Sequence, residues 1–468
     1  MNAPVTADVI SRLKAVLGAA GWSQDPGRLA PKLLEWRDRW SGETPLLVLP
    51  KSTAEVAAVV GVCAQSGTPI TPQGGNTGLV GGQIPRGEIL LSLERMRTVR
   101  GLEPLDDAIT VEAGAPLAVV QQAARDAGRL FPLSLASEGT ATIGGLISTN
   151  AGGTAVLRYG PMRDLVLGIE AVLPNGEVFA GLKVLRKDNT GYDLKQLLIG
   201  AEGTLGVVTA ASLKLFPIPA SRATAMAGLA RAQDAITLLA RAKQESGGGI
   251  EAFELMGRMG VDFALKHISG LREPLEGRYP WYVLVEAISS EPGGAEAALE
   301  RLLAGALEDG LIQDAAIAQS HAQAQAFWRL REDQSAAQKP EGLSWKHDVS
   351  VPVSKVAVLL ERAGAEIARR WPRARIAAFG HVGDGNIHYN ISEPEGGDPT
   401  FDADREACAL LVHDIVADLG GSISAEHGLG VMKTEDALRY KSPAEVQALR
   451  AIRAALDPQR IMNPRVLF

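Results

Sequence analysis

Four residues towards the end of this sequence could do chemistry together. His381 and His388 stand in Gly380-His-Val-Gly-Asp-Gly-Asn-Ile-His-Tyr-Asn390, and Glu426 and His427 stand in Ser424-Ala-Glu-His-Gly428. Two neutral imidazoles and a carboxylate suit a divalent ion and leave coordination positions open for substrate. Glu426 and His427 are chain neighbours, so their side chains point different ways; one can ligate while the other stands beside the ion as a base. A lone histidine is ordinarily a plain surface or core residue. Here three of the chain's seven lie among glycines beside a carboxylate, and that grouping marks them as ligands and base.

Short apolar segments must bring them together. Residues 374–379 and 387–391 read as strands, and Gly383-Asp-Gly-Asn386 between them is turn chemistry, because glycine, Asn and Asp tolerate positive φ. A tight turn sets His381 and His388 side by side, and strand alternation puts His388 and Asn390 on one face. Around this hairpin, strands are expected at 222–229, 281–289, 313–318 and 345–351. Helices are expected at 231–245, 294–308, 320–336, 354–370 and 402–418. Together they describe an α+β region with a mixed or antiparallel sheet.

The first half reads differently. A helix at 8–17 and a buried strand at 46–49 precede the capping box Ser52-x-x-Glu55, whose helix stops at Gly67 and is followed by a strand at 68–71. Then comes Pro72-Gln-Gly-Gly-Asn-Thr-Gly-Leu-Val-Gly-Gly82. Its glycines let backbone N–H groups converge on a phosphate, though the run fits neither G-x-G-x-x-G nor a P-loop, and a plain turn is the competing reading. A second small-residue run covers 137–153, and a third, Gly200-Ala-Glu-Gly-Thr-Leu-Gly206, feeds a strand at 207–215. Several such runs in one half of a chain fit the wrapping of a large cofactor. Pro174-Asn-Gly176 between strands at 165–173 and 177–180 signals a hairpin. A proline-marked break at 217–219 separates the two halves. A helix at 443–455 and an apolar tail ending at Phe468 are expected to dock on the body.

Composition narrows the class. At 468 residues, 46% apolar and 22% charged, the chain is globular and long enough for two or three domains. A net charge of −7 with no basic stripe argues against a nucleic-acid partner. No stretch is apolar enough to span a membrane and the first residues lack a leader pattern, so a cytoplasmic location is the expectation. Cys63 and Cys408, each in a helix-like segment, are read as buried small apolar residues.

The motifs in sequence order resemble a family. The 72–82 loop, Ile143-Gly-Gly-x-x-x-Thr-Asn-Ala-Gly-Gly153, Arg186-Lys-Asp-Asn-Thr-Gly-Tyr-Asp-Leu194, the two histidine stretches and Asn463-Pro464 are similar to those of the FAD-dependent D-2-hydroxyacid dehydrogenases of the vanillyl-alcohol-oxidase type, above all those acting on D-2-hydroxyglutarate. The likeness runs from about residue 30 to the end. It implies a split FAD-binding domain at 1–217, an α+β substrate domain at 218–420, and a C-terminal segment at 421–468 that returns to the flavin.

The resemblance also implies residue roles. In the first loop, Pro72, Gln73, Gly74, Gly75, Asn76 and Thr77, with Gly78, Gly81 and Gly82, would hold the pyrophosphate. Gly139, Thr142, Ile143 and Gly145, then Asn150, Ala151, Gly152 and Gly153, would line the flavin. So would Glu202, Gly203, Gly206 and Val207, joined by Asn463 from the tail. His381, His388 and Glu426 match metal ligands, with zinc the usual ion, and His427 matches the catalytic base. Arg331, Ser335, Lys346 and Asn390 match substrate-binding positions. His267, His321, His347 and His413 are read as structural. Asn76 occupies the place where some members attach FAD through histidine, and no histidine precedes His267, so FAD is expected to be non-covalent.

The implied reaction is hydride transfer from Cα of a D-2-hydroxy acid to flavin N5. The metal acidifies the hydroxyl, His427 takes its proton, Arg331 clamps C1, and Lys346 reaches C1 or a distal carboxylate. D-2-hydroxyglutarate or D-malate is the expected substrate, with D-lactate and glycolate as alternatives. A flavin-free enzyme with a 2-His-1-carboxylate metal is the rival from another class. The electron acceptor is expected to be an electron-transfer flavoprotein or a quinone, and the assembly a homodimer.

Overall fold

The computed structural model describes residues 5–467. Residues 1–4 and Phe468, on which the start of the leader argument and the last position of the tail fall, lie outside the described residues. The chain divides into two compact units. One comprises 5–153, 160–218 and 426–467; the other comprises 154–159 and 219–425.

The first unit holds two larger sheets. β1 (Trp22–Ser23), β2 (Leu47–Val48), β3 (Ile70–Gln73) and β4 (Ile89–Ser92) pair in the order β1-β2-β4-β3, with β2 and β3 both parallel to β4. The helix Thr53–Ser66 makes the crossover. Ser52 caps it by accepting from the Glu55 N–H at 3.2 Å, and Gly67 ends it in the left-handed region. The second sheet is antiparallel. It is built from β5 (Val99–Glu103), β6 (Ala108–Glu112), β8 (Val166–Val172), β9 (Val178–Gly181) and β10 (Val207–Lys214), in the order β5-β6-β10-β8-β9. β7 (Arg129–Leu130) pairs with β11 (Phe216–Pro217). The β8–β9 hairpin turns through Asn175 and Gly176, as Pro-Asn-Gly requires: Gly176 has φ +87°, and Asn175 Oδ1 accepts from the Glu177 N–H at 3.0 Å.

The second unit is built on one seven-stranded antiparallel sheet. Its strands are β12 (Ser221–Leu229), β13 (Ile250–Gly257), β14 (Trp281–Ser289), β15 (Asp314–Ile317), β16 (Ser344–Ser350), β17 (Arg375–Gly380) and β18 (Asn386–Ser392). Their order is β15-β12-β14-β13-β17-β18-β16. Alternate side chains feed two cores. Ala225, Phe253, Leu255, Val283 and Val285 meet the helices Ala232–Glu245, Gly294–Glu308, Val356–Arg370 and Arg405–Asp418 on one face. Met226, Met256, Tyr282, Leu284 and Phe379 meet Arg258–His267 and His321–Glu332 on the other. This second face carries the polar residues described below.

Three expectations need correction. The single helix expected at 320–336 is two, His321–Glu332 and Gln334–Ala337, parted at Asp333. The small-residue run at 137–153 contains the helix Ile143–Thr149, in which Gly144 packs so tightly that a Cβ would lie 2.8 Å from the Ala113 Cβ. The segment 246–280, given no element from sequence, contains β13 and the helix Arg258–His267.

Candidate functional site

In the second unit the hairpin β17–β18 forms as its turn residues dictate. Gly385 has φ +86°, and a Cβ there would stand 2.0 Å from the Val351 carbonyl oxygen, so glycine is the residue that closes this turn. The His381 and His388 rings come to 5.9 Å between centroids.

Antiparallel register shows what shares their face. His388 lies opposite Phe379 and Asp348, and Asn390 lies opposite Ala377 and Lys346. Directly opposed residues project to the same side, so Lys346, Asp348, His388 and Asn390 form one polar group. Met256 lies opposite Phe379, which places Glu254, two residues earlier on β13, on that face as well.

Glu254 is the centre of the group and was missed from sequence. It is fully buried. One carboxylate oxygen lies 2.7 Å from His381 Nδ1, and the other accepts from Arg331 Nε at 2.6 Å. Burial alone would raise its pKa, but Arg331 first and His381 second outweigh burial and lower it. Arg331 packs over the Phe379 ring at 4.8 Å from the centroid. The expected fork of Arg331 therefore already has its Nε on Glu254, and its Nη2 comes to 3.5 Å from His381 Nε2. Ser335, half-buried, lies past the break at Asp333 on the short helix Gln334–Ala337.

Asp348, a second carboxylate missed from sequence, accepts from Asn386 Nδ2 at 2.9 Å and lies 3.8 Å from His388 Nδ1. Its carbonyl oxygen accepts from the Ala425 N–H at 3.3 Å. Ala425 closes the second unit, and Glu426 and His427 follow it as the first residues of the stretch that belongs to the other unit.

The remaining histidines have structural partners or positions. His347 Nδ1 meets the Tyr389 carbonyl at 2.8 Å and His267 Nε2 meets Glu341 at 2.5 Å. His321 opens a helix, and His413 is buried on another. Cys63 and Cys408 are buried, and burial pushes both thiols up to about 12.

In the first unit the glycine runs converge. A Cβ on Gly75 would stand 2.0 Å from the Thr140 carbonyl oxygen, and one on Gly74 would stand 2.5 Å from Thr142 Oγ1. A Cβ on Gly203, at φ +73°, would press on Pro72 at 3.1 Å. The loops of 72–82, 139–153 and 200–206 thus pack closely on one another at glycines, where the missing Cβ leaves room for the neighbouring loop.

Several of the polar candidates here hold the loops rather than face outward. Gln73 Nε2 donates to the carbonyls of Lys32 and Gln83, and Asn76 Nδ2 to those of Pro31 and Leu34. Asn150, left-handed at the end of its helix, accepts from the Arg163 N–H at 2.9 Å. Glu202 accepts from the N–H groups of Leu429 and Gly430, both at 2.9 Å. Asn463 Nδ2 donates to the Gly82 carbonyl at 3.0 Å and the Glu202 carbonyl at 2.8 Å. The tail carrying Asn463 is itself tied down, because buried Arg453 donates to the carbonyls of Met462 and Val466 at 2.7 Å. The expected docking of the tail holds through Val466.

Comparison with known proteins adds to this geometry. Residues 218–467 match the family described as FAD linked oxidases, C-terminal domain, and residues 44–180 match the FAD binding domain. The chain is 38% identical over 465 residues to a probable mitochondrial D-2-hydroxyglutarate dehydrogenase of Oryza sativa subsp. indica, covering 98% of this chain and 81% of the relative. It is 35% identical to the D-2-hydroxyglutarate dehydrogenase of Xanthomonas citri pv. viticola, covering 98% and 96%. A D-2-hydroxyglutarate–pyruvate transhydrogenase of Saccharomyces cerevisiae is 36% identical, covering 94% and 90%. Among solved structures, alkyldihydroxyacetonephosphate synthase aligns at 18% identity with a TM-score of 0.75, covering 100% of this chain and 87% of that one. p-Cresol methylhydroxylase aligns at 15% identity and the same TM-score, covering 100% and 99%. At those identities the two structures speak for the fold alone.

Proposed function

This chain belongs to the FAD-linked oxidases and is an FAD-dependent hydroxyacid dehydrogenase, and from that premise we propose that it oxidises D-2-hydroxyglutarate to the 2-oxo acid, with D-malate next in preference. The match of 44–180 to an FAD-binding domain removes the ground for a flavin-free enzyme. The observation that carries the substrate reading is one face of the seven-stranded sheet. There Lys346, His388 and Asn390 lie with Asp348, beside Arg331, His381 and Glu254, and we read Arg331 and Lys346 as the cations that would meet a small anion with more than one carboxylate.

The residues fit the two groups this chemistry calls for. The match of 44–180 to an FAD binding domain spans the first glycine loop, the close glycine contacts of the first unit hold the three loops together, and we expect FAD to be bound there non-covalently. FAD, when bound, supplies the acceptor for the electron pair leaving the substrate Cα. We take His381, His388 and Glu426, a group that could hold a metal ion, as the residues that would hold a divalent ion, with zinc the first choice among hard and borderline ions. Such an ion would acidify a bound hydroxyl.

The chain's own residues do the rest. His427 takes the hydroxyl proton, as an imidazole with a pKa near 6.5 is suited to do at neutral pH. Arg331 engages the C1 carboxylate through its Nη edge, steadied by Glu254. Lys346 meets the distal carboxylate, with Asn390 and Ser335 completing the polar contacts. Electrons leave to an electron-transfer flavoprotein or a quinone. Among the described residues no helix is long and apolar enough to cross a membrane. A cytoplasmic homodimer remains the expectation, although several relatives are named mitochondrial. The reading is tested by measuring 2-oxo acid formation with an artificial acceptor dye and D-2-hydroxyglutarate, D-malate, D-lactate and glycolate. A higher kcat/KM for lactate or glycolate than for both dicarboxylates would refute it.

A further inference from the structure

We propose that Glu254 is a positioning residue for the metal site: its carboxylate fixes His381 as the Nδ1–H tautomer, so that the Nε2 lone pair is presented to a divalent ion. The inference rests on the reading of His381 as a metal ligand. It concerns a residue on β13 that none of the motifs above includes.

The argument is one of donors and acceptors. An ionised carboxylate can only accept and a guanidinium can only donate. The His381 ring lies between one of each, with Nδ1 2.7 Å from Glu254 Oε1 and Nε2 a long 3.5 Å from Arg331 Nη2. The Nδ1–H tautomer satisfies both neighbours. The Nε2–H tautomer would set a lone pair against the carboxylate and a proton against the guanidinium.

Nothing else competes for the carboxylate, because Glu254 is fully buried and its second oxygen is held by Arg331 Nε at 2.6 Å. A ligating histidine whose other nitrogen is fixed by a carboxylate binds metal about 10–100-fold more tightly than one whose partner is removed. The same carboxylate thus orders two neighbours at once. It fixes the proton on Nδ1 of His381 and holds the Nε edge of Arg331.

The competing account is that Glu254 and Arg331 are simply a buried ion pair. Such a pair can be replaced by apolar residues without loss, whereas removing one partner strands a charge. Two double variants of the full-length holoenzyme separate the accounts, because neither leaves a stranded charge. Glu254→Gln/Arg331→Met keeps a carbonyl oxygen able to accept from His381 Nδ1, and Glu254→Leu/Arg331→Met does not. Zn²⁺ affinity is measured by chelator competition, with FAD content and thermal stability recorded alongside.

The proposal predicts about 10–100-fold weaker Zn²⁺ binding in the Leu double variant than in the Gln double variant, at equal FAD content. Equal affinities in two folded variants would overturn it. A second measurement needs no substitution at Glu254: the ¹⁵N–¹H histidine spectrum of the metal-free wild type, with His381→Asn for assignment. Protonation of Nδ1 supports the proposal, and an Nε2–H tautomer overturns it whether or not the double variants fold. Failure of the wild type to take up Zn²⁺ would instead sink the metal reading, an outcome distinct from a wrong tautomer.

Discussion

His427 and Lys346 are single side chains on which the proposed chemistry turns, and each makes a separable prediction. His427→Asn removes the proton acceptor. It should lower kcat by roughly 10²–10⁴-fold while the visible flavin spectrum stays unchanged, and stopped-flow reduction of the flavin reads this directly. Lys346→Met removes one charge-assisted hydrogen bond of about 1.5–3 kcal/mol. It should raise KM for D-2-hydroxyglutarate by roughly 10–100-fold and leave D-lactate, which has no distal carboxylate, little affected. The histidines and Asn390 were legible because glycine and Asn in the 383–386 turn announce a hairpin. Glu254 was not, for a physical reason: β13 is buried at all eight positions, so the alternation that betrays a half-exposed strand is absent. The preceding Ser246-Gly-Gly-Gly249 also reads as loop.

A carboxylate away from the site, with its side chain covered by cations, gives the pH prediction. Glu341 has a side chain only 4% exposed and lies against Lys266, His267 and Arg375. Burial pushes its pKa up, but the hydrogen bonds from Lys266, His267 and Arg375 push harder the other way, to about 2. A glutamate in the unfolded chain titrates near 4.3. With the folded value below the unfolded one, the stabilisation is fully present above about pH 4.3 and is lost as pH falls towards 2. Thermal melts of Glu341→Gln should show a lower Tm than the wild type at pH 7, with the gap closing steadily between about pH 4.5 and 3. A gap that stays constant across that window would contradict the assignment.

At the scale of elements, the C-terminal helix Pro443–Leu456 and the tail after it act as a clamp on the first unit. Arg453 holds the tail carbonyls, and Asn463 then bridges the carbonyls of Gly82 and Glu202. Asn463→Ala removes both bridges, each worth about 1 kcal/mol. It should weaken FAD retention by roughly tenfold or more, seen as flavin lost on gel filtration, while the purified apoprotein keeps its circular dichroism. The resemblance pointed to Asn463 by position; its role as a brace between two loops needed the structure, because the partners are 381 and 261 residues away in sequence. Most strands and helices were legible from their periodicity. The helix Ile143–Thr149 was not, because Gly144 and Gly145 are poor helix formers, and close packing against Ala113 rather than propensity accounts for them.

For the whole molecule, motif order in the sequence pointed to the flavoprotein family that the matches at 44–180 and 218–467 show. The net charge of −7 also means that an anionic substrate must be drawn in by local cations, and in the proposed reading that task falls to Arg331 and Lys346. The most direct test of the account is an anaerobic absorbance titration of the purified, metal-analysed protein with D-2-hydroxyglutarate. The account predicts stoichiometric loss of the oxidised-flavin band, followed by D-malate at higher concentration and by D-lactate and glycolate only weakly. A yellow protein that no 2-hydroxy acid bleaches would contradict it.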